Sequence, residues 1–235
     1  MLPVLMINAQ DGEDVGWVAR FGIAGGVNPV YFFPNIDAVN NQANNMGLGE
    51  LSKSGMFLWG GSGYAYIMFI SNLRLGGIGL SGTISSKGTY LNMDRELDYS
   101  FGLGGVTIEY TLPFIQKVAV SVGTIVGVGT QSIEAYQNEG KYNWENSFPQ
   151  TLFSSLATPG NYSKLKNTFF TFTPTLNLDF PLSRFMAFRV GGGYIMNFND
   201  KWKVNNGQEI SGVPGNLTNN NFFIQTGIYF GFIAY

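Results

Sequence analysis

From Thr168 to Phe180 the chain alternates between apolar and polar residues. Thr168, Phe170, Phe172, Pro174, Leu176, Leu178 and Phe180 share one parity. Phe169, Thr171, Thr173, Thr175, Asn177 and Asp179 share the other. A period of two is the signature of a strand with one apolar and one polar face. Pro181-Leu182-Ser183 reads as a short turn, after which the pattern resumes. Met186, Phe188, Val190, Tyr194, Met196 and Phe198 fall on one face, and Ala187, Arg189, Gly191 and Gly193 on the other. The spacing predicts an antiparallel hairpin with arms of about a dozen residues, well beyond the roughly 5–6 of a globular strand. A strand that crosses a bilayer needs about 9–11.

The same alternation recurs along the chain. A first strand is expected from Gly16 to Gly25, with Trp17, Ala19, Phe21 and Ile23 outward and Arg20, Gly22 and Ala24 inward. A long connection follows from Gly26 to Gly55. Asp37 to Leu51 within it is a candidate helix, capped by Asn35 or Asp37, that covers or enters a barrel mouth. The second strand is expected over Met56–Phe69, with Tyr64, Tyr66, Met68 and Ile70 as an apolar face, and a tight turn at Ser71-Asn72. The third runs from Leu73 to Ser85 with Arg74 inward, and Gly76-Gly77 suggests a bulge. A loop through Met93–Glu96 leads to a fourth strand, Leu97–Leu112. There the apolar parity changes from Leu97, Tyr99, Phe101 and Leu103 to Val106, Ile108, Tyr110 and Leu112. A bulge at Gly104-Gly105 reconciles the two halves and points Asp98, Ser100, Thr107, Glu109 and Thr111 inward.

After a turn at Pro113–Gln116, the fifth strand sets Val118, Val120, Val122, Thr124, Val126 and Val128 outward. Ala119, Ser121, Gly123, Gly127 and Gly129 face inward, with Ile125 as the exception. Long loops are expected at Gln131–Lys166 and Asn199–Asn220. The last strand, Asn221–Tyr235, sets Phe222, Ile224, Ile228, Phe230 and Phe232 outward and Gln225, Gly227, Tyr229 and Gly231 inward. The tally is about eight strands with long and short connections in turn. That is the pattern of an antiparallel up-and-down transmembrane β-barrel, with short periplasmic turns and long extracellular loops. Both termini then lie in the periplasm.

Composition supports this reading. Only 12% of the 235 residues are charged and 15% are aromatic, against about 25% charged in soluble domains. No run of about 18 apolar residues is present, so helices are not the spanning elements. Residues 1–9 look like the tail of a signal peptide, leaving one barrel domain over 10–235. The net charge of −2 argues against a nucleic-acid partner. With neither Cys nor His, thiol and imidazole catalysis and Cys/His metal sites are excluded. No enzyme, cofactor or metal is expected.

The chain ends Gln225-Thr-Gly227-Ile-Tyr-Phe230-Gly-Phe232-Ile-Ala-Tyr235. This resembles the C-terminal assembly signal of bacterial outer-membrane barrels: a polar residue, a glycine, spaced aromatics and an aromatic terminus. The resemblance implies insertion by the barrel-assembly machinery through Gln225, Gly227, Phe230, Phe232 and Tyr235. The whole chain is similar to the small eight-stranded OmpA/OmpW-type family, which implies the outer membrane and its lipid as surroundings but no function.

The chemistry-bearing residues are few. Arg20, Arg74, Glu109, Asp179 and Arg189 are all inward in the periplasmic half, and charges in a narrow lumen need partners. The expected network, in which Glu109 and Asp179 meet the arginines, is either a polar plug that fixes the barrel or a gate or anion-selective constriction. Asp94, Glu96 and Asp98 read as a solvated rim beside Arg95 in preference to a cation site. The aromatics Trp144, Phe148 and Tyr162 in the longest loop fit either an extracellular ligand surface or packing against the rim. A structural or surface-interaction barrel is the first functional expectation. A narrow channel or conduit for small solutes or hydrophobic ligands is the alternative. A soluble lipocalin-like carrier would need the faces reversed.

Overall fold

The computed structural model describes residues 21–115, 118–138, 160–198, 201–218 and 221–234. Arg20, Trp144, Phe148, Tyr235 and the signal-like segment lie outside them. Eight strands close a barrel: β1 (Phe21–Phe33), β2 (Met56–Tyr66), β3 (Leu73–Tyr90), β4 (Met93–Thr111), β5 (Ala119–Asn138), β6 (Gly160–Ser183), β7 (Met186–Phe198) and β10 (Asn221–Ala234). Each pairs antiparallel with its neighbour in sequence, and β10 returns to β1. A short hairpin, β8 (Trp202–Val204) and β9 (Gln208–Glu209), is added to the outer arm of β6. One helix, α1 (Asp37–Asn45), lies between β1 and β2. The end carrying the connections β2–β3, β4–β5 and β6–β7 is the turn end. The opposite end, with α1 and β8–β9, is the loop end.

The outer wall carries the expected apolar parity. Ile23, Val122, Val126, Phe170, Leu176, Phe198, Phe222 and Phe230 are exposed on it. Phe170 reaches 70% and Phe230 60% exposure, which only a surrounding hydrocarbon phase makes favourable. Inward, Thr171, Thr173, Thr175, Asn177 and Asp179 are buried on β6, so the lipocalin-like reading fails. No described helix is long and apolar enough to cross a membrane.

The β4 expectation needs correction. Its pairing with β3 and β5 is continuous through Gly104-Gly105, so no bulge exists there. Odd residues face inward along the strand: Leu97, Tyr99, Phe101 and Leu103, then Thr107, Glu109 and Thr111. Asp98 and Ser100 therefore lie on the outer face. What changes at Gly104 is the chemistry of the two faces, not the register. Cross-strand rows locate the change. Gly79, Gly104, Val128 and Phe170 form one outward row, all apolar or bare. Two residues further out, Ser81, Gly102, Thr130 and Thr168 follow, and then Thr83, Ser100, Ser132, Lys166 and Lys203. Below this boundary the barrel is apolar outside and polar inside. Above it, on β3 to β6, the barrel is polar outside and apolar inside, as in a water-soluble protein.

The apolar interior at the loop end is one packed cluster. Phe32 stacks on Phe101 at 4.1 Å between centroids, and Phe101 meets Phe169 at 6.1 Å. Ile36, Val39 and Ala43 of the α1 segment, with Leu48 and Leu51, join that cluster. So do Trp202 and Leu217 from the last connection. The mouth is thus closed by a helix and by a tryptophan that the periodicity did not single out. The helix is shorter than expected, and neither Asn35 nor Asp37 is its cap. Ile36 occupies the N-cap without a side-chain bond. Burial of the apolar face holds the helix, and Asn40 bonds both Leu51 N–H and C=O, at 2.8 and 3.1 Å. Arg95 donates to Met46 O at 2.6 Å, tying the helix C-terminus to β4.

Other boundaries shift as well, and at the loop end they do so because the strands run on past the apolar wall. β1 continues to Phe33, and β5 and β6 pair out to Asn138 and Gly160. The expected loop at Met93–Glu96 is strand, closed by a two-residue turn in which Leu91 and Asn92 have φ of 51° and 60°. That is a type I′ geometry, so one outer connection is tight. Gly76-Gly77 is regular ladder. Pro181–Ser183 belongs to β6, with an irregular register there, and the turn is Arg184-Phe185. Tyr64 and Tyr66 point inward, not with Met68 and Ile70.

Lysine substitution tests the boundary. Val122→Lys, near the middle of the wall below it, is expected to reduce folding stability in lipid vesicles by about 2–4 kcal/mol in urea titrations. Thr83→Lys, above it, is expected to change stability by less than about 0.5 kcal/mol. Equal losses would refute the assignment. Glycine provides a second test. A Cβ on inward Gly127 would lie 2.2 Å from Gly104 O, whereas one on outward Gly79 meets nothing within 4 Å. Gly127→Ala is expected to lower the folded yield, seen as lost heat-modifiable gel migration, and Gly79→Ala to leave it unchanged.

Candidate functional site

The four described inward charges meet in the lumen toward the turn end. Two ladder positions create them. Arg74 lies directly opposite Glu109 across β3–β4, and Asp179 directly opposite Arg189 across β6–β7. Each pair then bridges the lumen to the other. Arg74 Nη2 is 2.9 Å from Glu109 Oε2, and Glu109 Oε1 is 3.0 Å from Arg189 Nη1. Arg189 Nε is 2.6 Å from Asp179 Oδ1, and Asp179 Oδ2 is 2.6 Å from Arg74 Nη1. The result is a closed ring of alternating charge, with every member at least nine-tenths buried. Two cations and two anions cancel, so the ring presents no net charge to an ion.

Polar neighbours complete it. Ser121 Oγ accepts from Arg74 Nη2. Asn177 donates to Glu109 Oε1 at 3.0 Å, and Gln225 donates to Asn177 Oδ1 at 2.6 Å. Tyrosines cover the guanidinium faces. Arg74 stands 4.6 Å over the Tyr64 ring, and Arg189 stands 4.7 Å over Tyr229, at cation–π distance. The Tyr229 hydroxyl oxygen accepts from Asn28 Nδ2 at 2.9 Å, and the hydroxyl is hydrogen-bonded to Ser62. Tyr64, Tyr229, Asn28, Ser121 and Asn177 did not enter the sequence-based network. Asn177 and Ser121 share the parity of the charges, which is the signal that would have found them. Tyr64 carries no such signal, because a tyrosine reads equally well as lipid-facing.

The ring leaves little room. The space bounded by Ser62, Tyr64, Glu109, Ile125 and Arg189 is about 10 Å³, at or below what one water needs. Both carboxylates are engaged by arginines, so neither stands ready as an acid or base.

The remaining candidates fall elsewhere. Gln225 and Gly227 face the lumen, and Phe230 and Phe232 the outer wall. Tyr162 stands on the projecting β5–β6 ladder, 50% exposed, and packs on Tyr136 at 4.9 Å. Both hydroxyls donate to Glu134 Oε2, at 2.6 and 3.0 Å, and Lys164 Nζ lies 2.7 Å from Oε1. Lys164 and then Tyr136 hold the Glu134 carboxyl below its ordinary range. Asp94 accepts from Thr89, and Glu96 pairs with Lys87 at 2.6 Å.

With this geometry in place, the chain is comparable to solved structures. It is similar to a major outer membrane protein of Thermus thermophilus, with a TM-score of 0.52 and 8% identity over 90% of this chain and 99% of that one. Weaker likenesses are to Ail, the attachment invasion locus protein of Yersinia pestis (TM-score 0.39, 10% identity, 92% and 99% covered), and to Acinetobacter baumannii CarO2 (0.38, 12%, 90% and 99%). No family model and no curated protein matches the chain. At such identities the likeness is one of fold: a closed, eight-stranded antiparallel barrel of the outer-membrane kind.

Arg189→Met leaves Glu109 and Asp179 short of a partner and is expected to cost about 3–5 kcal/mol in urea unfolding from micelles. Arg189→Met combined with Asp179→Leu is expected to recover a large part of that loss. A double variant as unstable as the sum of its single changes would show that the ring is not one coupled unit.

Proposed function

We propose that this chain is a non-conducting barrel of the bacterial outer membrane with a structural and surface-interaction role. One observation carries this: among the described residues the lumen is occupied at two levels, by a neutral ion ring toward one end and by an aromatic core under a helix at the other. A conducting pore needs a continuous aqueous path, and a net-neutral ring selects no ion. The turn end, where β1 begins and β10 ends, faces the periplasm, and the barrel-assembly machinery reads the Gln225–Tyr235 segment. The part offered to partners is the projecting ladder. From Thr130 to Asn138, paired with Gly160 to Thr168, it extends about 25–30 Å along the strands. The architecture accords with the small OmpA/OmpW-type barrels, and no catalytic role is assigned.

Reconstituted into liposomes, the folded chain is expected to give no swelling with small sugars and no unitary currents in planar bilayers. Replacing Glu109 by Lys is expected to reduce folding without producing a conducting species. Reproducible currents from the intact protein would overturn the proposal in favour of a narrow channel.

A further inference from the structure

Lys164, Lys166, Lys201 and Lys203 share one patch of the outer face, where β8 joins the outer arm of β6. With Thr168 and Asn205 they line a groove of about 330 Å³. Lys166 lies directly opposite Lys203 in the β6–β8 ladder. Like charges so placed repel and weaken a ladder. The backbone nevertheless holds them together: Asn205 Oδ1 accepts from Lys164 N–H at 3.0 Å, and Asn205 N–H donates to Lys164 O at 2.8 Å. Two of the cations are shared with carboxylates, Lys164 with Glu134 at 2.7 Å and Lys201 with Glu209 at 3.5 Å. Among the described residues, no carboxylate pairs with Lys166 or Lys203.

The height of the patch specifies its occupant. Along the outward face of β6, Lys164 and Lys166 are followed by Thr168, and then Phe170 and Phe172 begin the apolar wall. Phe198 lies directly opposite Phe170. Lys166 is four residues from Phe170, about 13 Å along the strand. With strands tilted about 35–45°, this sets Lys166 about 10 Å above Phe170, just beyond a headgroup layer of about 5–8 Å, and a lysine stem reaches back down to it. We propose that Lys166 and Lys203, flanked by Lys164 and Lys201, bind the phosphate groups of a phosphorylated glycolipid of the surrounding leaflet, with its acyl chains against Phe170, Phe172 and Phe198. An anion between Lys166 and Lys203 offsets their repulsion and makes the β8–β9 hairpin part of a lipid site. The continuity with the apolar wall favours a lipid over a soluble polyanion. This rests on the outer-membrane reading given above.

The test uses the full chain folded in micelles, with diphosphoryl lipid A and its dephosphorylated form as probes. The wild type is expected to bind the diphosphoryl form at least about tenfold more tightly. Lys166→Gln with Lys203→Gln is expected to weaken binding about thirtyfold, the loss of two lysine–anion contacts. Lys166→Arg with Lys203→Arg is expected to retain it, and Lys53→Gln with Lys87→Gln to leave it unchanged. Heat-modifiable migration identifies the folded variants. Equal binding of the two lipid forms, or an equal loss in the Lys53/Lys87 variant, would overturn the site. Soluble polyphosphate competing as well per phosphate as the lipid would overturn the lipid occupant. Flotation with vesicles separates the two readings. A chain that floats but does not discriminate phosphate refutes the lysine site alone, and a chain that does not float refutes the membrane assignment.

Discussion

The strands of this barrel pass through two external solvents, and the change from hydrocarbon to water governs the rest of the structure. A continuous β4 shows it most directly. Val106, Ile108 and Tyr110 look outward where Asp98 and Ser100 look outward further along the same strand, with no break in pairing. Transfer of apolar surface out of water is favourable wherever the water is. In the membrane the wet side is inside, if it exists at all. In the projection it is outside. The same backbone therefore carries two inverted patterns in series, and the inversion costs no distortion.

That inversion dictates what fills the lumen at each level. Beside the apolar wall, inward polar groups have no bulk water to bond and must satisfy one another. The Arg74–Glu109–Arg189–Asp179 ring does so at both carboxylates, with Ser121 accepting from Arg74, Asn177 donating to Glu109 and the tyrosine faces covering the guanidiniums, while Arg74 Nε and Gln225 Oε1 are left without a partner. Above the boundary the barrel needs an ordinary hydrophobic core, and an eight-stranded barrel is just wide enough for side chains to fill it. The open mouth would leave that core wet. α1, Trp202 and Leu217 cover it, which explains why two of the outer connections hold buried residues.

The fold is legible in the sequence because alternation survives wherever the two solvents differ. Phe170 to Phe180, Val122 to Val128 and Phe222 to Phe232 announce their faces, and the four described charges declare a common side by parity. The misreading of β4 comes from assuming one orientation of polarity throughout. A change in apolar parity at Gly104 admits two explanations, a slipped backbone or a changed solvent, and sequence spacing does not separate them. Glycine pairs at Gly76 and Gly104 invite the first. Tyr64 and Tyr66 are misplaced by periodicity because an amphipathic ring suits a lipid interface and an arginine face equally. The burial of Trp202 and the extent of α1 are invisible to a period-two pattern, since both depend on a core assembled from distant strands.

Tyr229 sits on the last strand, yet its hydroxyl reaches Asn28 on the first and lies 3.4 Å from Arg189 in the ring. The seam between β1 and β10 is therefore inspected from within. A closure displaced by one residue would swing Tyr229 into the lipid, withdrawing its oxygen from Asn28 and its ring from Arg189. The salt-bridged interior acts as a proofreader of ring closure: a barrel joined out of step would be penalised at its centre before its edges showed any fault.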